Sequence, residues 1–226
     1  MNKNLPTALV AVDVCVFRII DGVLCVYLAE VKSDSPYKGM NCLPGSLIHI
    51  DENAEDTLSR VLHERTNLVP KEVYFEQLAS FSDIQRDKRS RSVAIAYLGL
   101  TDSELTLSDD VVSRGRFVSL SKLKNMAFDH KEIIEYAHER LRNKINYSAI
   151  VKKLIRGQFT FSELQKAHEI ILGKDLDKRN FRKKITSLEL IKETKKYKKE
   201  GRMRPAMLYT WSSQKVETYN VLGFAK

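Results

Sequence analysis

The N-terminal part of the chain begins with two apolar segments separated by a tight turn. Valines stand at every second position from Val10 to Val16, the period of a strand that packs one face against a core. Asp21 and Gly22, residue types that accept positive φ, precede a second apolar run at residues 23–31. The pattern predicts a β-hairpin whose turn lies at these two residues.

A turn and an amphipathic helix follow the hairpin. Pro44 and Gly45 predict a turn ahead of a short strand at about residues 47–48. The helix is predicted to begin at about Ala54, with Asn53 as its N-cap. Its apolar stripe at i, i+3 and i+4 is expected to face the sheet and consists of Leu58, Val61 and Leu62.

Three further strands and a closing helix are predicted next. The strands are expected at about residues 73–81, 92–100 and 116–119. A charged loop at residues 83–91 joins the first two of them. Asp129 and Glu132 have capping-box spacing ahead of a helix with apolar positions at Ile134, Ala137, Leu141 and Ile145. Together these elements predict an α/β fold, an α/β/α sandwich built on a mixed sheet.

The pattern changes at about residue 146 and predicts a small helical domain. A first helix is expected at about residues 149–155. Thr160 and Glu163 form a capping box that opens a second helix, which Gly173 is expected to end.

A third helix and a basic hairpin complete this domain. The helix is predicted to begin near Asp177 and to bury Phe181, Ile185 and Leu188. Extended segments are predicted at about residues 191–197 and 206–211, with a basic turn between them. Three helices and a basic hairpin are the pattern of a winged helix-turn-helix.

The net charge changes sign at about the same position along the chain as the pattern of predicted elements. We predict one domain at residues 1–145 and a winged helix-turn-helix domain at residues 146–226. Residues 1–150 hold 19 Lys and Arg against 21 Asp and Glu, a net charge of −2; residues 151–226 hold 19 against 8, a net charge of +11, which completes the total of +9. A small domain with that excess of positive charge is expected to bind a polyanion.

The sequence indicates neither a membrane protein nor a protein stabilised by disulfides. Asp13 interrupts the most apolar N-terminal segment, and the first residues lack the order of a signal peptide, so a cytoplasmic protein is expected. Cys15, Cys25 and Cys42 are odd in number and two lie in apolar strand-like segments. Buried, reduced thiols are therefore predicted, and neither a disulfide nor a cysteine metal site.

Residues 43–68 have the layout of the Nudix box, G-x5-E-x7-R-E-U-x-E-E-x-G-U with U aliphatic. The spacing matches when Ser46 stands at the first Gly, Glu52 at the lone Glu and Arg60 at the Arg. A working box presents three carboxylates at i, i+3 and i+4 of its helix, where they share a divalent metal with a diphosphate. Here those positions are occupied by Val61, Glu64 and Arg65. One carboxylate beside a guanidinium is a poor Mg²⁺ site, so we expect no catalytic residues, no bound metal and no cofactor.

With further short motifs, the chain resembles the Nudix-related transcriptional regulators, whose best-known branch is the NrtR type that controls NAD metabolism. The motifs outside the box lie at residues 86–93, 127–130, 159–164, 178–183 and 201–206. The resemblance implies a homodimeric DNA-binding repressor or activator with a degenerate Nudix domain and a C-terminal winged helix. It also implies a metabolite effector, which is ADP-ribose in the NAD branch and a sugar in some others.

Arginines of the charged loop are candidate ligands for the phosphates of such an effector. Arg86, Arg89 and Arg91 each offer a bidentate fork that suits phosphate. A solvated charge run is the alternative that the residues leave open.

The box and the closing helix contribute the other candidates. Arg60 and Glu64 are an i, i+4 pair, and Glu52 with Arg60 is retained in the box, so these residues serve either the ligand or the loop. Glu64 is a candidate for a ligand hydroxyl. His130 stands at a helix start where it can touch ligand, although capping by Asp129 explains this motif without a ligand.

The predicted DNA-binding residues lie on the third helix and the basic turn. Those expected in the major groove are Arg179, Asn180, Arg182 and Lys183. Those expected to neutralise phosphates are Lys178, Lys184, Arg202 and Arg204. A solvated cationic face is the alternative. The strands lack an aromatic platform for stacking unpaired bases, which favours double-stranded DNA over RNA.

The sequence thus predicts a DNA-binding regulator, bound as a homodimer to a palindromic operator, whose Nudix domain binds an ADP-ribose-like effector. An active Nudix hydrolase of ADP-ribose or a related nucleoside diphosphate is one alternative. A pentose-responsive regulator of the same architecture and a nucleic-acid-binding module without an effector are two others.

Overall fold

The computed structural model describes residues 7–66, 68–103, 115–199, 204–213, 215–216 and 218. The first elements are β1 (Leu9–Ile20), β2 (Val23–Glu30), β3 (Asn41–Cys42), β4 (Gly45–Leu47) and α1 (Ala54–Arg65). The next are β5 (Tyr74–Phe81), β6 (Ser92–Leu100), β7 (Gly115–Ser119) and α2 (His130–Lys144). The last are β8 (Phe159–Thr160), α3 (Phe161–Leu172), α4 (Lys178–Ser187), β9 (Ile191–Lys198) and β10 (Ala206–Trp211).

Strands β1 to β7 form one mixed sheet. Its main order is β3-β2-β1-β6-β5, with β4 paired to β1 and β7 paired to β2. Strands β1 and β6 are parallel, and the pairs β1–β4, β2–β3, β2–β7 and β5–β6 are antiparallel. The predicted hairpin is confirmed, with φ of 49° at Asp21 and 75° at Gly22 in its turn.

Helix α1 begins at the predicted cap. The side chain of Asn53 accepts a hydrogen bond from the backbone N–H of Asp56 at 2.9 Å, and the Asp56 carboxylate accepts one from the N–H of Asn53 at 3.2 Å. The predicted apolar stripe is buried, and it packs in one cluster with Val12, Val14 and Val16 of β1. The sheet and α1 therefore share a core, as the periodicity predicts.

The C-terminal residues form the predicted winged helix. Thr160 and Glu163 cap α3 reciprocally, and Gly173 ends it at φ 67°. Asp177 caps α4 by accepting a hydrogen bond from the N–H of Asn180 at 2.8 Å. Strands β8, β10 and β9 form a small antiparallel sheet in that order.

Several details differ from the sequence prediction. The prediction of a first C-terminal α-helix at about residues 149–155 is wrong, because Ile150–Lys153 forms a single 3-10 turn. The segment is too short and too rich in β-branched residues for a stable α-helix, and Gly157 turns it at φ 68°. Val10, which was predicted on the buried face of β1, is 40% exposed. Strand β8 is an element that the sequence pattern does not predict.

Two compact units can be distinguished along the chain. One contains Met1–Arg18 and Cys25–Ala137, and the other contains Ile19–Leu24 and His138–Lys226. The domain boundary placed between residues 145 and 146 stays a prediction. Across the described ranges, no helix has the length and apolar character needed to cross a bilayer.

Candidate effector cavity and DNA-binding surface

A cavity of about 830 Å³ opens in the N-terminal unit. It is bounded by β1, the end of β2, the box turn at Leu43–Leu47, the end of α1, the charged loop and the start of α2. Its charged and histidine lining residues are Asp13, Glu30, Lys32, Glu64, Arg65, Arg86, Asp87, Arg89 and His130. Glu64, Arg86, Arg89 and His130 of the predicted ligand set are thus brought together, and Glu52, Arg60 and Arg91 are not part of this lining.

Arg86 lies in a buried charge network at one side of the cavity. Its Nη2 lies 3.1 Å from Asp13 Oδ2, and its Nε and Nη2 each lie 2.9 Å from an oxygen of Asp129. Its Nη1 donates to Ser92 Oγ at 3.1 Å. The guanidinium is therefore fixed between two carboxylates, which leaves it poorly placed to provide net charge for a phosphate.

Asp13 is the centre of this network. Burial raises the pKa of the Asp13 carboxyl, but His130 and Arg86 outweigh burial and hold this pKa below its usual value. Gly45 lies against it: an added Cβ would stand 2.1 Å from Asp13 Oδ1 and 2.9 Å from the carbonyl oxygen of Val12. The box turn can approach the carboxylate this closely only because residue 45 has no side chain.

His130 connects this network to the box turn. The backbone N–H of Leu43 donates to His130 Nδ1 at 2.9 Å, and His130 Nε2 lies 3.5 Å from Asp13 Oδ2. With Nδ1 facing the N–H of Leu43, the Nε2 edge of the ring is directed towards Asp13. The ring holds the start of α2 to the turn, and its contact with a ligand stays a prediction.

Arg89 lies on an aromatic platform at the cavity. Its guanidinium carbon is 5.0 Å from the centroid of Phe128 and 5.9 Å from that of Tyr37. Asp87 accepts from Arg89 Nη2 at 2.8 Å and from its Nε at 3.0 Å. Phe128 has a φ of 55°, a strained value for an aromatic residue that indicates a position fixed by its surroundings.

Arg91 has a different environment from the other loop arginines. Its Nη1 donates to the backbone carbonyl oxygens of Ser82, Asp83 and Ser92 at 3.0 to 3.1 Å. These bonds hold the loop closed at its base.

Glu52 and Arg60 hold the box turn against α1. Arg60 Nε and Nη2 donate to the two carboxylate oxygens of Glu52 at 2.6 and 2.8 Å, and Nη2 also donates to the carbonyl oxygen of Leu47 at 3.0 Å. Hydrogen bonding to Arg60 is the main cause that lowers the pKa of Glu52 to about 2. This geometry gives the pair a structural role, and any contact with a ligand stays a prediction.

The three box positions that carry carboxylates in a working motif have unlike environments here. Val61 is fully buried in the core shared with β1, whereas Glu64 and Arg65 line the cavity. Glu64 lies 3.6 Å from Arg60. Over the ranges that the structure describes, no three Asp, Glu, His or Cys residues are grouped so as to hold a metal ion. The residues present therefore do not fit the divalent metal of a Nudix box.

Sequence reasoning missed five charged residues of the cavity, namely Asp13, Glu30, Lys32, Arg65 and Asp87. Asp13 has a usable signal, because an acidic residue inside an otherwise apolar strand requires a buried partner. The other four have none, because charged residues in loops and at the ends of helices and strands are ordinary.

The cationic face of α4 is the second candidate surface. Its exposed polar residues are Lys178, Arg179, Asn180, Arg182 and Lys183. Lys184 is half-buried, and burial lowers the pKa of its ammonium group. Arg204 is exposed just before β10, and Arg202 lies outside the described residues.

Arg182 differs from the other residues of this face because it is held in place. Its Nη2 donates to the hydroxyl of Tyr209 at 3.0 Å, and its guanidinium carbon lies 4.6 Å from the centroid of Phe161. The side chain therefore joins α4 to β10 and to the start of α3.

Two family models match the chain. Residues 8–137 match the NUDIX domain, and residues 151–211 match the NrtR DNA-binding winged helix domain. The match to the NUDIX model contains the cavity, and the match to the winged helix model contains α4.

Two relatives match different shares of the chain. The chain is 34% identical over 218 residues to an ADPR responsive transcriptional repressor, NtrR, of Acinetobacter baylyi, a match that covers 94% of this chain and 86% of the repressor. It is 32% identical over 105 residues to an ADP-ribose pyrophosphatase of Methanocaldococcus jannaschii, which covers 46% of this chain and 60% of the enzyme. The relative matched over almost the whole chain is thus a repressor, and the enzyme matches less than half of it.

Solved structures give the same relationship. The crystal structure of Shewanella oneidensis NrtR complexed with a 27mer DNA has a TM-score of 0.77 at 34% identity, covering 89% of this chain and 93% of that one. The NUDIX domain of the same protein complexed with ADP ribose has a TM-score of 0.54 at 33% identity, covering 62% and 93%. The resemblance found in the sequence motifs is confirmed: the chain belongs to the NrtR family of transcriptional regulators, with a NUDIX domain followed by an NrtR-type winged helix.

Proposed function

We propose that this protein is a DNA-binding transcriptional repressor whose NUDIX domain binds ADP-ribose as its effector. The observation that carries the proposal is the presence, in one chain, of a charged cavity in the NUDIX domain and a cationic recognition helix in the winged helix. The Acinetobacter relative is ADPR responsive, and the Shewanella relative was solved with DNA and, as its NUDIX domain, with ADP ribose.

The recognition helix is proposed to enter the major groove. Arg179, Asn180 and Lys183 extend from its exposed face, and a homodimer would place two such helices on a palindromic operator about 34–36 Å apart. A mobility-shift assay with operator DNA tests this: an Arg179→Ala, Arg182→Ala double variant should lose affinity, and Lys71→Ala, at an exposed residue of the NUDIX domain, should not. Full affinity in the double variant would overturn the assignment of this helix. Binding of the wild-type protein should also weaken steeply with salt, since phosphate contacts release counterions.

The effector is tested by calorimetry on the full chain. ADP-ribose should bind, and pentoses such as ribose and arabinose should not. Binding of a pentose alone would replace this proposal by a sugar-responsive regulator. Binding of neither would favour a DNA-binding protein without an effector.

We further infer that the NUDIX domain does not act as a hydrolase. Two of the three helix carboxylates are replaced by Val61 and Arg65, and a carboxylate at residue 61 would face the core rather than the cavity. The similarity to an ADP-ribose pyrophosphatase favours hydrolysis as the second candidate function. Turnover of ADP-ribose with Mg²⁺ or Mn²⁺ at ordinary enzymatic rates, abolished by Glu64→Gln, would establish that second candidate.

A further inference from the structure

Two of the four cationic side chains that line the cavity are already neutralised by carboxylates. Arg86 is paired with Asp13 and Asp129, and Arg89 is paired with Asp87. A phosphate approaching either guanidinium would have to compete with a fixed carboxylate at hydrogen-bonding distance.

Arg65 and Lys32 are the exceptions among the lining residues. Within the described part of the chain, neither side chain has a hydrogen bond or an ion pair, and both are exposed at the cavity. Glu64 is paired with Arg60, so Glu30 is the one lining carboxylate in the described residues without an ion pair. The uncompensated charge of the lining is therefore positive.

The position of Arg65 in the Nudix box indicates a role for this positive charge. Arg65 is the last residue of α1 and occupies the box position at which a metal-using protein has its final carboxylate. There, the carboxylate holds a divalent cation, and that cation neutralises the diphosphate of the ligand. Here a guanidinium lies at the same place, and the residues around it do not fit a metal.

We propose that Arg65, assisted by Lys32, binds the diphosphate of the effector directly and takes the place of the divalent metal. The inference rests on the proposed function for the identity of the ligand. A guanidinium fits two phosphate oxygens through its bidentate fork and carries a permanent positive charge. It also lacks the coordination chemistry that activates water, so the ligand is bound and not cleaved.

An arginine at a helix C-terminus also has a purely structural explanation. Its charge complements the partial negative charge of the helix end. That explanation predicts an effect of substitution on stability and none on ligand affinity, which separates the two roles.

The test is calorimetric titration of ADP-ribose into the full chain, with EDTA and separately with Mg²⁺. The wild-type affinity should agree within about twofold in the two buffers. Arg65→Gln should weaken binding roughly 10- to 100-fold, the range for a lost hydrogen bond between charged groups. Arg65→Lys should retain more affinity than Arg65→Gln, and Lys71→Gln is the matched surface control. Thermal unfolding establishes that each variant is folded.

The inference is overturned if the wild type binds ADP-ribose only in the presence of Mg²⁺. It is also overturned if the wild type binds ADP-ribose and the Arg65→Gln variant binds it with the same affinity. Inorganic pyrophosphate serves as the second probe. If pyrophosphate binds in an Arg65-dependent manner and ADP-ribose does not bind, the diphosphate site stands and the proposed effector is wrong. If the wild type binds neither compound, both proposals are wrong.

Discussion

Val61 and Arg65 lie one turn apart on α1, and both replace a carboxylate of the box, yet their surroundings differ completely. Val61 is 0% exposed among the side chains of β1 and α1, whereas Arg65 is exposed at the cavity. A carboxylate at residue 61 would have to be buried in the core. The exchange at residue 65 changes the charge of the cavity and leaves the core as it is.

This difference predicts unequal costs for restoring the two carboxylates. Val61→Glu should lower the free energy of unfolding by about 3 to 5 kcal/mol, because it buries a carboxylate without a partner. Arg65→Glu should cost less than about 1 kcal/mol, since the side chain stays in water. Urea denaturation of the two variants measures the difference, and equal stability of both would show that Val61 is not in the core.

The elements that could be predicted from the sequence are those whose signals are local. The hairpin turn at Asp21 and Gly22, the cap at Asn53 and the capping box at Thr160 each lie within a few residues of the element that they fix. Strand β8 carries no such signal, because two residues become a strand only through pairing with β10.

The cavity could be predicted only in part for the same reason. Arg86 is 73 residues from Asp13 and 43 from Asp129, and the parallel pairing of β1 with β6 brings the carboxylate of Asp13 beside the loop that precedes β6. Local spacing favours a capping role for Asp129 and a phosphate contact for Arg86. The structure instead pairs them with each other, and long-range topology provides that partner.

The contact between α4 and β10 yields a prediction about DNA affinity. Tyr209→Phe removes the hydroxyl that fixes Arg182 but keeps the buried ring, so operator binding should weaken roughly 2- to 10-fold, in line with the loss of one hydrogen bond. Tyr147→Phe, in the same unit, is the control and should bind normally.

A double-mutant cycle identifies the cause. Adding Tyr209→Phe to Arg182→Ala should produce no further loss, because the hydroxyl acts through the guanidinium. Additive losses in the mobility-shift assay would mean that Tyr209 acts on DNA by another route.

The acid stability of the protein should depend on His168. The ring is 1% exposed in the winged helix, and burial lowers its pKa from 6.5 to about 4. Between these values the unfolded chain binds a proton at this residue that the folded protein does not, so the contribution of His168 to stability is constant above pH 6.5 and falls as the pH drops towards 4. The expected loss over this window is about 3 kcal/mol.

Trp211 provides the measurement, because it is the one tryptophan of the chain and is buried in the same unit as His168. Urea unfolding followed by its fluorescence should show a shallower dependence on pH in His168→Asn, whose amide can replace Nδ1 as a donor to the carbonyl oxygen of Leu164. The exposed His63→Asn should keep the wild-type dependence. An unchanged dependence in His168→Asn would assign the acid sensitivity to other groups.

Regulation requires that the two binding events on this chain be energetically coupled. If ADP-ribose changes operator affinity by some factor, the operator must change ADP-ribose affinity by the same factor, because both belong to one thermodynamic cycle. We expect a factor of at least about fivefold, the lower end of typical allosteric coupling. Titrating operator with and without saturating ADP-ribose, and ADP-ribose with and without saturating operator, gives the two values independently.

An Arg179→Ala, Lys183→Ala variant is the control: it should bind ADP-ribose as the wild type does, and operator added at the same concentration should leave that binding unchanged. Equal operator affinities with and without the ligand would mean that ADP-ribose binds without regulating, since a ligand shifts an equilibrium only by its difference in affinity for the two states.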